Sequence, residues 1–401
     1  MISVEAALQS LLNHAIPTKI ETVKTADALH RVLATDAISN FTQPPFNASA
    51  MDGYAVQFAD MDIGKPLKVI GEAPAGYVFN AHVNKGEALR VFTGSVMPEG
   101  ADHVVIQEDV ARTGDSIEIT DTQFAPSHIR KAGVDFKTGD ILFPKGTRLK
   151  PLHLSAIAAA NIQKLAVHTR PKVTVFANGD ELKTLGEDIA TGQIISSTPY
   201  ALCNLLREWG ADVKFLGIIA DDRDALTQAI QTAETLTDVI IPLGGASVGD
   251  YDLVKGQFKA NEYKSKFEKI AVKPGKPTWY AVKDSVSVLG LPGNPASGLV
   301  CAFLFLKPFI QALSGQTVET GFTKAALTAP LAANGPRETY LRAVAHIGAK
   351  GQLHATPFSR QDSSLLTPFT KANIFIRRAP NAPKCETQTL VDCVVIGPLA
   401  V

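Results

Sequence analysis

The chain has 401 residues, which at roughly 150 residues per domain sets a prior of two or three domains. Hydrophobic residues make up 45% and charged residues 19%, so there is enough apolar material for a core in each domain. Lys plus Arg and Asp plus Glu both number 39, and this balance excludes a broad nucleic-acid or polyanion binder; any anion recognition must be local.

The chain opens MISVEAALQSLLNHAI, with Glu5 and no basic stretch, which argues against a secretory signal. Val4, Ala7, Leu8, Leu11 and Leu12 recur at helical spacing and predict a helix over 3–15, with Ser3 as its cap. A second short helix is expected over 25–35, capped by Thr25. From about residue 45 the pattern changes. The runs KPLKVIGE, EALRVFTG, DHVVIQEDV and SIEIT alternate with Gly and Pro turns, predicting a small all-β domain over 46–139. GDILFPKGTRLKP, an Ala-rich helix near 151–162 and a short strand follow. They are read as a return to the N-terminal segment, so that 1–45 and 140–170 form one unit interrupted by the β domain.

Over 171–319 strands and helices alternate. KVTVFA, VKFLGII, DVIIPLGG and VSVLGL are strands, and 199–209, 223–236 and 296–313 are helices. Nearly continuous apolar strands between helices indicate a parallel sheet covered on both faces, with ligands bound beyond the carboxyl ends of the strands. Residues 320–401 return to β patterning in KAALTAPL, TYLRAVAHI, NIFIRRA and TLVDCVVIG. The expected fold is multidomain, α/β and β: a central α/β domain with a parallel-type sheet, an inserted small β domain and a C-terminal β domain.

Cys203, Cys301, Cys385 and Cys393 form no CxxC pair, which argues against a zinc ribbon or a disulfide scaffold; Cys203 and Cys301 read as buried thiols. The longest apolar run, 299–306, falls far short of the ~20 residues that span a membrane. A cytoplasmic protein without membrane or nucleic-acid partners is expected.

The unusual residues gather at the strand ends. Asn178-Gly179-Asp180-Glu181 places two carboxylates on a loop, where they can hold a divalent cation, act as a base or simply be solvated. Gly244-Gly245-Ala246-Ser247-Val248-Gly249-Asp250-Tyr251-Asp252 follows a buried strand. Adjacent glycines with free N–H groups and the Ser247 hydroxyl suit a phosphate, and Asp250 and Asp252 beside an anion call for a bridging cation such as Mg²⁺. Pro292-Gly293-Asn294-Pro295-Ala296-Ser297 opens a long helix, where anions are attracted. Lys269, Lys273 and Lys276 surround a Pro-Gly turn, and fixed ammonium groups there suit an oxyanion. No Walker A loop, GxGxxG or HxxxH spacing occurs, which argues against a P-loop kinase or a nicotinamide dehydrogenase.

Taken in order, these motifs resemble the molybdopterin molybdenumtransferase family, MoeA and the E domain of gephyrin. The matches are PPF…SAMDGYA at 44–55, FTGSVMPEGAD at 92–102, GVDF…GD at 133–140, FPKGTRL at 143–149, GDEL at 179–182 and GQI at 192–194. They continue with LGII-x-DD at 216–222, GG-x-SVG-x-x-D at 244–252, KPGKP at 273–277, GLPGNP at 290–295 and Q-x-S at 361–363. The resemblance implies an enzyme that inserts molybdate into adenylylated molybdopterin with Mg²⁺ and releases AMP. It implies an elongated homodimer of four-domain subunits, with the cleft between the α/β domain of one subunit and the insertion of the other. A molybdopterin adenylyltransferase would supply the substrate, and molybdoenzyme maturation factors are implied as further partners.

Carried over, Asp52, Thr93 and Asp135 are the site positions of the insertion, and Glu181, Asp221 and Asp252 are the acidic, Mg²⁺-linked ones. Gly244, Gly245, Ser247, Pro292 and Asn294 belong to the cradle. Lys269, Lys273, Lys276 and Ser297 match positions contacting the pterin phosphate or molybdate, and Arg342 and Ser363 the remaining molybdate-site positions. Three segments depart from the family pattern: Asn47-Ala48 in place of Asp-Asn, Ala177-Asn178 in place of a Ser/Thr pair, and Ser196-Ser197-Thr198 in place of Asp-Ser/Thr-Asn. The competing readings are a binding paralogue or dimeric scaffold without turnover, and a transferase that prefers tungstate.

Overall fold

The computed structural model describes residues 1–121, 127–244, 253–318 and 321–399. Ser3 caps the first helix, Val4–Leu12, accepting from the Ala6 amide at 3.1 Å, and Val4, Ala7 and Leu11 are its buried face. The expected helix over 25–35 is not formed. Only Thr25–Asp27 makes a single tight turn, after which Val32 bridges Arg148 and Leu33 bridges Val167. Burial of Ala28 and Leu33 among Leu149, Ile157 and Leu165 wins over helical spacing, because extended chain can reach both partners.

The strand Ile20–Lys24 pairs with Lys164–His168, and Ala37–Ile38 with Ile141–Phe143. The chain therefore leaves this layer after residue 38 and rejoins it at 141, and the excursion holds a separate six-stranded sheet. Tyr54, Val56, Leu67 and Ile117 form one buried face of that sheet, and Ala55, Leu89 and Val104 the other.

The central sheet has six strands in the order Asp212–Ile219, Lys172–Asn178, Val239–Leu243, Val286–Gly290, Trp279–Lys283, Lys264–Phe267. The first four are parallel, as the apolar runs predict. Trp279–Lys283 runs antiparallel to both of its neighbours, Val286–Gly290 and Lys264–Phe267, and these last two strands lie outside that prediction. Their sequences explain the miss: Lys264–Phe267 reads KSKF, an edge strand buried only at Phe267. The helices Thr198–Glu208 and Arg223–Glu234 match the expected segments to within two residues.

The helical stretch Pro295–Leu313 is 19 residues long, with mean hydropathy 1.7, and is 78% buried; it is a core helix although its length and composition would also suit a membrane span. Five residues, Ala302–Leu306, are wound more loosely as a π segment. It packs with the first helix and the central strands in one core containing Leu11, Val175, Leu289, Phe305 and Phe309. Cys203, Cys301 and Cys393 are buried and free.

The C-terminal segment forms a closed sheet. Glu338–Ile347, Leu353–Pro357, Phe322–Leu327, Leu390–Val395 and Ile374–Arg378 pair in that order, and the last returns to the first. Val272–Lys273 of the central domain adds to it beside Glu338 and Thr339, so the lysine turn stitches the two domains together.

Candidate active site

The four parallel strands all end on one side, and a cleft of about 640 Å³ opens there. Its walls include Asn178 and Glu181 from one strand end, Ser196, Ser197 and Thr198 from a helix start, and Pro292 and Asn294 from another. Gly244 forms part of the floor, and Ser364 and Leu366 reach in from the C-terminal domain. Gly244 has φ +99°, and a Cβ there would lie 2.3 Å from the Asn178 carbonyl oxygen. Only glycine lets the two strand ends come this close.

Two helices begin at the cleft with Pro in their first turn: Thr198–Glu208 and Pro295–Cys301, the latter opening the 19-residue core helix. Neither N-cap residue, Ser197 or Asn294, makes a side-chain capping bond. Pro199 and Pro295 carry no N–H, and the Ala296 amide is bonded to the Ser363 carbonyl, so what both starts share is the positive end of a helix dipole, which favours a phosphate or another oxyanion. Ser297, expected as an anion contact, is buried in the first turn of the core helix.

The acids divide by role. Asp222 caps its helix, accepting from the amides of Asp224 at 3.0 Å and Ala225 at 2.9 Å. Asp180 accepts from the Asp221 amide at 3.1 Å and so ties two strand-end loops together. Glu181, which lines the cleft, and exposed Asp221 are left with uncommitted carboxylates. Among the described residues no group of three His, Cys, Asp or Glu side chains is close enough to hold a metal unaided. Gly245, Ser247, Asp250 and Asp252 lie outside the described residues.

The lysine turn is held from behind. Gly275 has φ +116°, and a Cβ there would meet Cys301 Sγ at 2.2 Å. Thr278 Oγ1 donates to the Gly275 carbonyl at 2.8 Å and contacts Cys301 Sγ at 3.1 Å. Burial pushes the Cys301 thiol up to about 12, so it stays a neutral packing group. Pro277 of this turn lines the cleft, while Lys273 and Lys276 are exposed and Lys269 is half-buried. None of these three ammonium groups forms an ion pair with another described residue.

Arg342 stands elsewhere than its expected role suggests. It is 1% exposed and does not line the cleft. Its guanidinium donates to the carbonyls of Leu365 at 2.8 Å and Asp362 at 2.9 Å. Gln361 Nε2 returns a bond to the Arg342 carbonyl at 2.9 Å. The loop so fixed docks on the core helix through the Ala296 amide, which donates to the Ser363 carbonyl at 3.0 Å. Ser364, one residue beyond the expected Ser363, is the serine of this loop that lines the cleft. Arg342 thus reaches the cleft through the loop it holds.

Asp52 and Thr93 form a pair on the insertion: the Thr93 amide donates to Asp52 Oδ1 at 2.7 Å and its hydroxyl at 2.9 Å. The amide first, then the hydroxyl, hold the Asp52 carboxyl below its usual range. Asp135 is exposed beside the Gln43–Phe136 bridge. Among the described residues, none from 46–139 lines the cleft of its own chain. Residue-by-residue reading of the motifs did not single out Asn178, Ser364 or Leu366 as wall residues. Only Asn178 carried a signal, its departure from a Ser/Thr pattern.

Family models match three consecutive stretches: the MoeA N-terminal region, domains I and II, at 2–161; the probable molybdopterin binding domain at 175–312; and the MoeA C-terminal region, domain IV, at 324–396. A molybdopterin molybdenumtransferase of Haemophilus influenzae is 32% identical over 97% of this chain and 98% of its own length. One from Nostoc sp. is 36% identical over 79% of this chain and 75% of its own. The crystal structure of a molybdopterin biosynthesis MoeA protein from Pyrococcus horikoshii superposes with a TM-score of 0.83 at 25% identity, covering 99% of this chain and all of that one. With strand ends, lysine turn and C-terminal loop converging as described, the chain belongs to the MoeA family of molybdopterin molybdenumtransferases.

Proposed function

We propose that this protein inserts molybdate into adenylylated molybdopterin and releases AMP, using Mg²⁺. The observation that carries this reading is the meeting of two kinds of group at one cleft. Glu181 offers a carboxylate on the cleft wall, with Asp221 exposed at the end of the neighbouring strand, and two helices direct the positive ends of their dipoles at the same cleft. Such a site takes a phosphoanhydride by its oxygens. Hard carboxylate oxygens with room for phosphate oxygens and water fit Mg²⁺, which uses one or two carboxylates and keeps several waters. Glu181 and Asp221 would hold it, with Asp252 as the expected third acid. When bound, it neutralises charge developing on the phosphates as the anhydride bond breaks.

The chain's own residues do the rest. Molybdate is a dianion and calls for ammonium and hydroxyl donors; Lys269, Lys273 and Lys276 are cationic groups unpaired among the described residues, at the turn whose Pro277 lines the cleft. Arg342 and Ser363 hold the 361–366 loop so that Ser364 faces the same space. Water attacks the adenylyl phosphorus and loses its proton to solvent, the P–O bond of the anhydride breaks, AMP is released, and the anhydride oxygen leaves on the pterin phosphate. No covalent protein nucleophile enters. We also propose a homodimer in which Asp52, Thr93 and Asp135 of a second copy complete the cleft, because no described residue of the insertion lines the cleft of its own chain. A molybdopterin adenylyltransferase is the proposed source of the substrate, and the cytoplasm the proposed location.

The test is AMP release from adenylylated molybdopterin with Mg²⁺, with and without molybdate. Molybdate-dependent release is the expected result. Tight binding without release would replace the transferase with a non-catalytic binding protein.

A further inference from the structure

Asn178 is the last residue of the central strand Lys172–Asn178, is 3% exposed, and lines the cleft. Its side-chain amide is held from one side only. Nδ2 donates to the Ile219 carbonyl at 3.0 Å and the Ala220 carbonyl at 3.3 Å, at the end of the neighbouring strand. Oδ1 is buried and has no hydrogen-bond partner among the described residues. A buried acceptor without a donor is uncommon and costly, and it asks for a partner that the described residues do not supply. The two carbonyls also fix which end of the amide is which. A 180° flip would point Oδ1 at two other acceptors, so Asn178 presents a carbonyl oxygen that cannot turn into a donor.

The same cleft has an apolar lining of Ala177, Leu182, Ile195, Leu243, Pro277 and Pro292 beside its polar groups. A planar ring fits such walls, and one fixed acceptor among them sets the ring's orientation by taking an N–H. We infer that Asn178 Oδ1 accepts a hydrogen bond from the exocyclic amino group of the pterin ring, making Asn178 a specificity-determining residue of this chain. The inference rests on the proposed function for the identity of the ring, and on the unpaired Oδ1 for the contact. A ring with a carbonyl in place of that amino group would set oxygen against oxygen and be rejected. Sites built to satisfy a ligand N–H discriminate strongly against analogues lacking it.

The experiment compares pterin-6-carboxylate with lumazine-6-carboxylate, which carries an oxo group where the pterin has its amino group. Binding to the full-length protein is read by quenching of probe fluorescence. The wild type is expected to prefer the pterin roughly tenfold or more. In Asn178→Leu, and in Asn178→Thr as a smaller second variant, the preference should fall to about twofold or less. Loss of the Nδ2 bonds would weaken both probes alike and leave their ratio unchanged, so the ratio isolates Oδ1. Circular dichroism checks that each variant folds. Equal affinities in the wild type, or a preference that survives both substitutions, overturns the inference while leaving the transferase intact. Absence of any pterin binding to a wild type that still releases AMP from its substrate also overturns it. Absence of both binding and release overturns the proposed function together with it.

Discussion

The Arg342 guanidinium gives a sharp quantitative test, because its geometry separates holding a loop from holding an anion. Replacing it by Met keeps most of the buried stem and removes every donor. The carbonyls of Leu365 and Asp362, reached at 2.8 and 2.9 Å, then lose a charged partner. Hydrogen bonds to charged groups contribute about 1.5–3 kcal/mol each, and the longer contact to Gln361 little, so the expected loss is about 3–6 kcal/mol. With an m-value of about 3 kcal/mol/M, that lowers the urea midpoint of the C-terminal domain by roughly 1–2 M. Arg342→Lys should recover about half, since one ammonium cannot serve two diverging carbonyls as a planar fork does. Hydrogen exchange at the Ala296 amide, which donates to Ser363, reports loop docking directly and should accelerate in both variants. The molybdate requirement should rise in proportion to that loosening. A Lys variant with wild-type urea stability and wild-type Ala296 exchange, but a raised molybdate requirement, would refute the positioning role and put Arg342 on the anion.

Gly275→Ala should destabilise by about 2–4 kcal/mol in urea titrations, from an alanine forced to φ +116° and a Cβ driven against Cys301 Sγ. Cys301→Ala in the same chain should relieve the clash but not the backbone strain; no rescue at all would mean that the turn does not pack as described. The Asp52 carboxyl should titrate below the usual ~3.9 in a side-chain NMR experiment, because both Thr93 bonds favour its charged form. The sign follows: the folded value is depressed, so the stabilisation is present above the ordinary carboxylate range and is lost as pH falls through the folded value. Thr93→Val should raise it only in part, since the larger cause is the backbone amide, and a full return to the ordinary value would contradict that ranking. Finally, subunits carrying Asp52→Ala and subunits carrying Lys273→Ala should each be inactive alone and regain activity when mixed, measured as AMP release. Failure of the mixture, with exchange of subunits verified, would remove the shared cleft.

Much of the architecture is legible without coordinates. Apolar runs such as KVTVFA are too continuous for a strand with one wet face, and they became the parallel strands of a covered sheet. Gly-Pro punctuation located the strand-end loops, and their order along the chain pointed to the family. The failures are local and have a common cause. Residues 25–35 carry helical spacing, yet bridges to Arg148 and Val167 hold Val32 and Leu33 extended, and both partners lie more than a hundred residues away. The edge strand KSKF has no apolar period to reveal it.

The same division runs through the site. Sequence by itself determined which residue types stand at the strand ends: carboxylates, close-approach glycines and a lysine-bearing turn. It could not sort them. Adjacent acids Asp221 and Asp222 look equivalent in a string, but one caps a helix and the other keeps its carboxylate uncommitted. Arg342 looks like an anion ligand, and its donors are spent on a loop twenty residues on. Asn178 looks like a lost hydroxyl, and it is a buried acceptor held in one orientation by the neighbouring strand. A side chain's availability depends on what has already taken its hydrogen bonds. Those partners are set by packing between segments far apart in the chain, so only the tertiary structure decides which polar groups remain for a ligand.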